Sequence, residues 1–323
     1  MGSTLKITTP RDYDLKRDVC SYGYFVLAPN HWDIKKHTLT RPLHLAEGPA
    51  TVVLRSLSPR GERAGVRGAS SSSSLEAKFD RTLTPAERSE AKRLIARMLR
   101  LNEDESHSKG FHGADPRWKK SGRARLFRSP TLFEDVIKTV TSCNVAWPST
   151  VNMNKQMVRH LGKGGCFPTE ARVSRTRTGT LRGRCRVGYR DQRIIDLAKL
   201  FHRGEIDEAW LEHPDTPDDE VFAFLKSLPG IGPYAASNIM MLLGRYSRLA
   251  IDTETVRHGK AALGFTGTER QIIKKLEKHY EPFGEYKFKS YWFELWTFYE
   301  TKQGPSVTWD REETATAFTA ANF

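Results

Sequence analysis

Residues 218–258 (DDEVFAFLKSLPGIGPYAASNIMMLLGRYSRLAIDTETVRH) hold the residue types and spacings from which a site could be built. Val221, Phe224, Leu225 and Leu228 share one face of a short helix that Pro229 must end. Gly230 and Gly232 permit a hairpin too tight for side chains, and Pro233 suits the first position of the next helix. Such a turn aims backbone N–H groups outward at a helix N-terminus, where they can meet a phosphate oxygen. A glycine pair between helices is also an ordinary turn, and the spacing leaves both readings open. Asp252 lies 18 positions beyond Tyr234 and precedes Thr253 at the start of another helical run, a place that suits a helix cap. Other chemistries find little support. Gly162-Lys163-Gly164-Gly165 lacks the spacing of a phosphate loop, and no GxSxG occurs.

With 323 residues the chain is long enough for two or three domains. Its 52 Lys and Arg against 38 Asp and Glu give +14 at pH 7, which points toward a polyanionic partner. A merely soluble basic protein fits the charge as well. An anionic membrane fits it less, since no long apolar run occurs. Cys20, Cys143, Cys166 and Cys185 are scattered without CxxC spacing, which argues against a disulfide framework, a zinc knuckle and an iron–sulfur loop. The ten histidines lack ligand spacing, and His107 and His112 are expected to face solvent. The first residues have no apolar core of a secretory leader, so an intracellular protein is expected.

The first third reads as β-rich. Tyr22–Leu27 and Thr51–Leu54 carry β-branched and aromatic residues suited to strands, and a further strand is expected near Lys78–Asp80. The serine-rich stretch 61–78 between them reads as an exposed loop. Thr84, Pro85 and Glu87 form a capping box that opens the helical part, followed by Leu94, Met98 and Leu101 at helical spacing. The stretch Glu103–Arg128, with Lys119, Lys120, Arg123 and Arg125, reads as a linker or a basic surface loop. Thr131 and Glu134 suggest a second capping box, before Phe133, Val136, Ile137 and Val140 on one helical face. Residues 171–193 are dense in arginine and read equally as a solvated loop or a phosphate-contacting segment. Further helices are expected at Gln192–Phe201, Asp218–Ser227, Pro233–Leu243, Thr268–Tyr280 and Tyr286–Tyr299, and the stretch after Lys302 carries no clear signal and reads as a disordered tail.

Leu228–Ala236 (LPGIGPYAA) resembles the hairpin of the helix-hairpin-helix DNA glycosylases, and Ala250–Arg257 (AIDTETVR) resembles the segment that delivers their catalytic aspartate. Similar hairpins in ligases, polymerases and nucleases bind DNA without chemistry, and the aspartate sharpens the glycosylase reading. The likeness covers most of 80–300. A β-rich region ahead of RLFRSPTLFEDVIKTVTSCN resembles the layout of the alkyladenine and 8-oxoguanine glycosylases. Gly188-Tyr189-Arg190 resembles the start of a later helix of that group, and EPFGEYKFKSYWFELW its last helix. The adenine-excising and endonuclease III-like branches carry an iron–sulfur loop after the catalytic domain. No cysteine follows Asp252 here, which favours the branch without a cluster.

The resemblance implies a role for each site residue. Asp252 would stabilise the oxocarbenium-like transition state of N-glycosidic cleavage and orient water. Tyr234 stands where bifunctional relatives carry a Schiff-base lysine, which implies a monofunctional enzyme. Tyr234 and Trp147 would line the base pocket, although a core tryptophan is the plainer reading of Trp147. Asn144 would fill the gap left by the flipped base, and the amides of Gly230, Gly232, Tyr234 and Ala235 would face phosphates. The carbonyls of Lys226, Leu228 and Ile231 would hold a monovalent cation, K+ or Na+. Glu254 stands where relatives often carry histidine, and either adds negative charge or faces solvent. The expectation is an α+β protein with a β-rich domain at 1–83, a helical glycosylase domain at 84–302 and a tail at 303–323. It would act as a monomer on double-stranded DNA holding a damaged base, with an alkylated or otherwise modified purine preferred. It would use no organic cofactor and lie with the DNA, in cytoplasm, nucleoid or nucleus. Two alternatives stay open: a non-catalytic DNA-binding module, and an 8-oxoguanine-type glycosylase/lyase using another lysine such as Lys226 or Lys260.

Overall fold

The computed structural model describes residues 2–57 and 74–317. Most of the serine-rich stretch falls at 61–73, outside the described residues. Five antiparallel strands, β1 (Thr4–Thr8), β2 (His31–Asp33), β3 (Thr38–Leu45), β4 (Gly48–Leu57) and β5 (Ser74–Phe79), form one sheet in the order β1-β5-β4-β3-β2. On β3, Leu39, Arg41, Leu43 and Leu45 alternate inward against Leu54, Val52, Ala50 and Gly48 of β4. The inward arginine is unusual, and its partner comes from a helix described below.

Tyr22–Leu27 is not a strand. Gly23–Val26 forms one turn of 3-10 helix after the short helix α1 (Leu15–Val19). Its side chains from Tyr24 to Ala28 are all buried, with no solvent-facing alternation. The Tyr24 carbonyl is taken by the Leu27 amide at 3.1 Å and the Asn30 side chain at 2.8 Å, which leaves no ladder to form.

The helical part begins at α2 (Pro85–Met98), whose Thr84–Glu87 capping box is present in both directions. Next comes α3 (Glu105–Ala114), inside the stretch expected to be a basic loop. Arg125 and Arg128 of that stretch are buried: Arg125 pairs with Asp12 at 2.9 Å and Arg128 with Glu212 at 2.9 Å. Only Lys119 and Lys120 among its named cations are fully exposed. Helix α4 (Leu132–Ser142) carries the expected apolar stripe, and Thr131 caps it. Glu134 does not close the box. Its carboxylate turns inward to Arg41 of β3 at 2.5 Å and Lys138 at 2.7 Å.

Helix α5 (Trp147–Leu161) follows, then the short α6 (Glu170–Ser174) and α7 (Thr178–Gly183), so the arginine-dense stretch is partly helical. It buries Val173, Leu181, Cys185 and Val187 and leaves Arg172, Arg175, Arg177, Arg184 and Arg186 exposed. The remaining helices are α8 (Asp191–His202), α9 (Glu208–Glu212), α10 (Asp218–Ser227), α11 (Pro233–Leu243), α12 (Thr253–Ala261), α13 (Glu269–Tyr280), α14 (Lys287–Gln303) and α15 (Arg311–Ala317). The stretch after Lys302 is thus structured to 317. Trp309 packs on Trp296 with ring centres 5.0 Å apart.

Two hydrophobic cores result. One joins the sheet to α2 and α12–α14, through residues such as Leu54, Phe79, Ile95, Ile272 and Phe293. The other joins α4, α5, α8, α10 and α11, through Ile137, Met157, Ile194, Leu225 and Ile239. Two buried guanidinium groups tie the lobes together at the far end of α11. Arg100 donates to the carbonyls of Met241 and Leu242 at 2.7 and 2.9 Å, and Arg128 donates to Leu242 at 2.8 Å. Cations there also complement the negative end of the helix. No helix among the described residues is long and apolar enough to cross a membrane.

Candidate active site

Asp252 and Tyr234 approach each other where the two cores meet. The hairpin belongs to the second core through Leu228, Ile231 and Ala235, whereas Asp252 is flanked by Ala250 and Val256 of the first.

Helix α10 ends at Ser227, and Gly230 turns the chain with φ +77°. Gly232 and Pro233, both exposed, open α11, whose first-turn amides have no intrahelical acceptors. A Cβ at Gly230 would stand 2.5 Å from Cδ of Arg193, so both the dihedral and the space demand glycine. Gly230→Ala is expected to destabilise the fold by about 1–2 kcal/mol through the left-handed backbone alone. Urea unfolding would check it, and an unchanged midpoint would show that the turn tolerates a side chain at 230.

Asp252 is the N-cap of α12. Its Oδ1 accepts the Thr255 amide at 2.9 Å and the Thr255 hydroxyl at 2.9 Å, and the Asp252 amide donates to that hydroxyl at 3.2 Å. The Thr255 hydroxyl also lies 3.0 Å from the Ala250 carbonyl and 3.0 Å from the Tyr291 hydroxyl on α14, so the residue that holds the carboxylate is itself anchored. Burial raises the Asp252 carboxyl above its ordinary value, against the lowering effect of the Thr255 bonds. A capping aspartate needs no such desolvation.

Tyr234 is half-buried at the first turn of α11. Burial and the nearby Asp252 charge push its phenol well up, and the same two causes raise Tyr291. Tyr22 belongs to this group. It is 4% exposed, its hydroxyl donates to Asn238 of α11 at 2.8 Å, and its ring lies 4.7 Å from that of Trp292. Trp147 lies over Gly23, where a Cβ would stand 3.0 Å from the indole. The 3-10 turn therefore supplies a wall to the site.

Asn144 follows α4, is exposed, and has φ +52°, a conformation asparagine tolerates. Arg190 holds the preceding turn by donating to the carbonyls of Val140 (3.2 Å) and Cys143. Its guanidinium also lies 4.5 Å from the ring of Tyr189, and that of Arg193 lies 5.4 Å from it. Asn144, Tyr189 and Gly230 thus sit along one surface joined by Arg190 and Arg193. Tyr189 is 54% exposed, an aromatic ring with two guanidinium groups against it. Its position between arginines in an otherwise polar stretch was the available signal for it.

Glu254 does not simply face solvent. Arg257 donates to it at 2.8 Å through Nε, and Tyr299 donates its hydroxyl to it. Lys226 and Lys260 are exposed, with the Lys226 ammonium 5.4 Å from the ring of Phe222. Burial raises the thiols of Cys143, Cys166 and Cys185 to about 11, which leaves them protonated at neutral pH. No cluster of three or more His, Cys, Asp or Glu that could hold a metal occurs among the described residues.

No family model and no curated protein sequence matches the chain. Solved structures do. MBOgg1 in complex with a low-affinity DNA ligand superposes with a TM-score of 0.65 at 19% identity, over 93% of this chain and 97% of that one. A 3-methyladenine DNA glycosylase from Archaeoglobus fulgidus gives 0.63 at 14% identity, over 92% and 99%. An 8-oxoguanine glycosylase/lyase from Clostridium acetobutylicum in its apo form gives 0.61 at 18% identity, over 91% and 98%. The chain therefore shares its fold, an antiparallel sheet followed by two helical cores, with these glycosylase structures. At these identities the likeness establishes the fold, and the chemistry has to be argued from the residues.

Proposed function

We propose that this protein is a monofunctional DNA glycosylase of base excision repair, which flips out a damaged base and hydrolyses its N-glycosidic bond. The observation that carries the reading is the half-buried carboxylate of Asp252, held by Thr255 in the seam beside Tyr234. Both Thr255 bonds fall on Oδ1 and fix the orientation of the carboxylate. As the bond breaks, positive charge grows at C1′ and O4′, and a desolvated carboxylate stabilises it more strongly than one in water. The same carboxylate orients the attacking water. Base extrusion costs a few kcal/mol, offset by contacts that replace the stack.

Duplex DNA is the partner. Phosphates lie on the first-turn amides of α11 beside Gly230 and Gly232, with Tyr234 and Ala235 contributing theirs, while Asn144 enters the vacated space. The basic surface of a +14 chain adds counterion release. The aromatic side chains of Tyr234, Tyr22 and Trp147 on this side of the molecule favour an alkylated, positively charged purine through cation–π attraction. Such a base is already a good leaving group. The carbonyls of Lys226, Leu228 and Ile231 suit a monovalent cation. Leu228 O accepts the Ile231 amide at 3.2 Å and keeps a second lone pair, so the tight turn can present carbonyl oxygens to an ion. The protein acts as a monomer, without an organic cofactor, where the genome lies.

A phenol cannot form an imine, and Tyr234 occupies the place of the Schiff-base lysine. The test uses duplex oligonucleotides each holding one methylated purine, 8-oxoguanine, hypoxanthine, uracil or mismatched thymine. Breaks are expected only after hot alkali, with no protein–DNA adduct trapped by borohydride. Adduct formation would reveal a lyase working through another lysine, such as Lys226 or Lys260. Duplex binding without release of any base would favour a DNA-binding module.

A further inference from the structure

The segment 20–30 lies against the site yet makes almost no regular structure beyond its single 3-10 turn. Side chains hold its carbonyls instead. Trp296 donates its indole N–H to Cys20 at 3.0 Å, and Trp292 donates to Ser21 at 2.9 Å. Beyond the turn, Arg311 of α15 donates Nε to the Val26 carbonyl at 2.8 Å and Nη2 to the Asn30 carbonyl. Val26 and Asn30 flank the bend at Leu27-Ala28-Pro29, so one planar guanidinium spans the bend. Asn30 in turn donates to the Tyr24 carbonyl at 2.8 Å and accepts from Arg41 at 2.7 Å.

The stretch that delivers Arg311 is itself anchored. Trp309 packs on Trp296 and donates to the Gly304 carbonyl at 3.0 Å, and Trp32 of β2 donates to Val307 at 2.9 Å. Glu312 pairs with Lys155 of α5 at 3.2 Å, and Thr314 is buried. What this clasp secures is the wall of the site: Tyr22 on Asn238 and Trp292, and Gly23 beneath Trp147.

We propose that Arg311 is a positioning residue for base excision, fixing the Tyr22–Gly23 wall by bridging the carbonyls of Val26 and Asn30. The proposal rests on the reading of Asp252 as the catalytic carboxylate. Arg311 touches neither substrate nor Asp252, and acts through the segment it holds. A lysine offers one point charge in place of a fork, and cannot span both carbonyls with the same geometry.

The test compares the full chain with Arg311→Met and Arg311→Lys variants. In Arg311→Met, amide exchange across 20–30 is expected to accelerate at least tenfold, while α4 and α11 exchange as before. Single-turnover base release at saturating DNA should fall tenfold or more with duplex Kd within twofold, and Arg311→Lys should lie between. Unchanged exchange at 20–30, unchanged release, or a uniform rise in exchange over the whole protein would each overturn the proposal. If the unaltered protein releases no base from any duplex, the reading of Asp252 fails and the catalytic consequence of Arg311 fails with it. The exchange data then still decide whether Arg311 holds the segment.

Discussion

Asp252→Asn is expected to lower single-turnover base release by about 10²–10⁴-fold, the scale on which a positioned acid–base group contributes, and to leave the fold intact. Asparagine caps a helix about as well as aspartate, so the Thr255 amide keeps an acceptor and α12 keeps its start. Burial raises the folded-state carboxyl of Asp252 above 3.8, so the folded protein binds this proton more tightly than the unfolded chain does. The associated stability is present below 3.8 and is lost as the pH rises through the folded value. At neutral pH the ionised carboxylate therefore costs stability, and Asp252→Asn should melt at an equal or higher temperature than the parent. The rate has the opposite dependence. It needs the carboxylate ionised, so base release in the parent should fall as the pH drops through that raised value. Melting curves and rate profiles between pH 4 and 8 would check both. A variant that keeps its rate, or loses it together with its fold, would reduce Asp252 to a cap.

The second large effect lies away from the chemistry. Glu134 is fully buried between Arg41 of the sheet and Lys138 of its own helix. Burial pushes its carboxyl up, but the two cations outweigh burial and bring it to about 2. Glu134→Gln keeps the shape and leaves two buried positive charges facing one another. The expected loss is about 3–5 kcal/mol, as for other buried pairs broken on one side. A triple replacement of Arg41, Glu134 and Lys138 by Met, Leu and Met should recover most of that, since no charge is then stranded. Because the folded carboxyl lies below its ordinary 4.5, the stability it contributes is present above that value and is lost as the pH falls toward 2. The Gln variant should lack this acid limb. Urea unfolding at pH 7 and at pH 3 would decide, and a Glu134→Gln protein as stable as its parent would show the triad to be incidental.

Local chemistry explains what could be read from the sequence. Thr84-Pro85-Ala86-Glu87 caps a helix because every partner lies within four residues, and α10 and α11 begin and end where Pro229, the glycines and Pro233 place them. Asp252 was legible for the same reason, with Thr255 three residues on. What was not legible depends on partners far along the chain. Glu134 follows the capping-box spacing, yet its charge is claimed by Arg41, 93 residues earlier. Tyr22–Leu27 has strand composition, yet its Tyr24 and Val26 carbonyls are bound by the side chains of Asn30 and Arg311. Arg125 and Arg128 look like surface cations until Asp12, Glu212 and the end of α11 are brought to them. Strands β1 to β3 were missed for a related reason: short segments with threonine, lysine and proline become strands only once neighbours pair with them.

The contact between Val26 and Arg311 joins residues 285 positions apart. Closing a flexible loop of that length costs about 5 kcal/mol in chain entropy, so it forms only after nearer pairings have drawn the ends together. The hairpin, by contrast, is built from contacts a few residues apart. The two sets of contacts therefore differ in when a refolding chain can make them, and in pulse-labelled refolding the amides of α10 and α11 should gain protection ahead of those at 20–30.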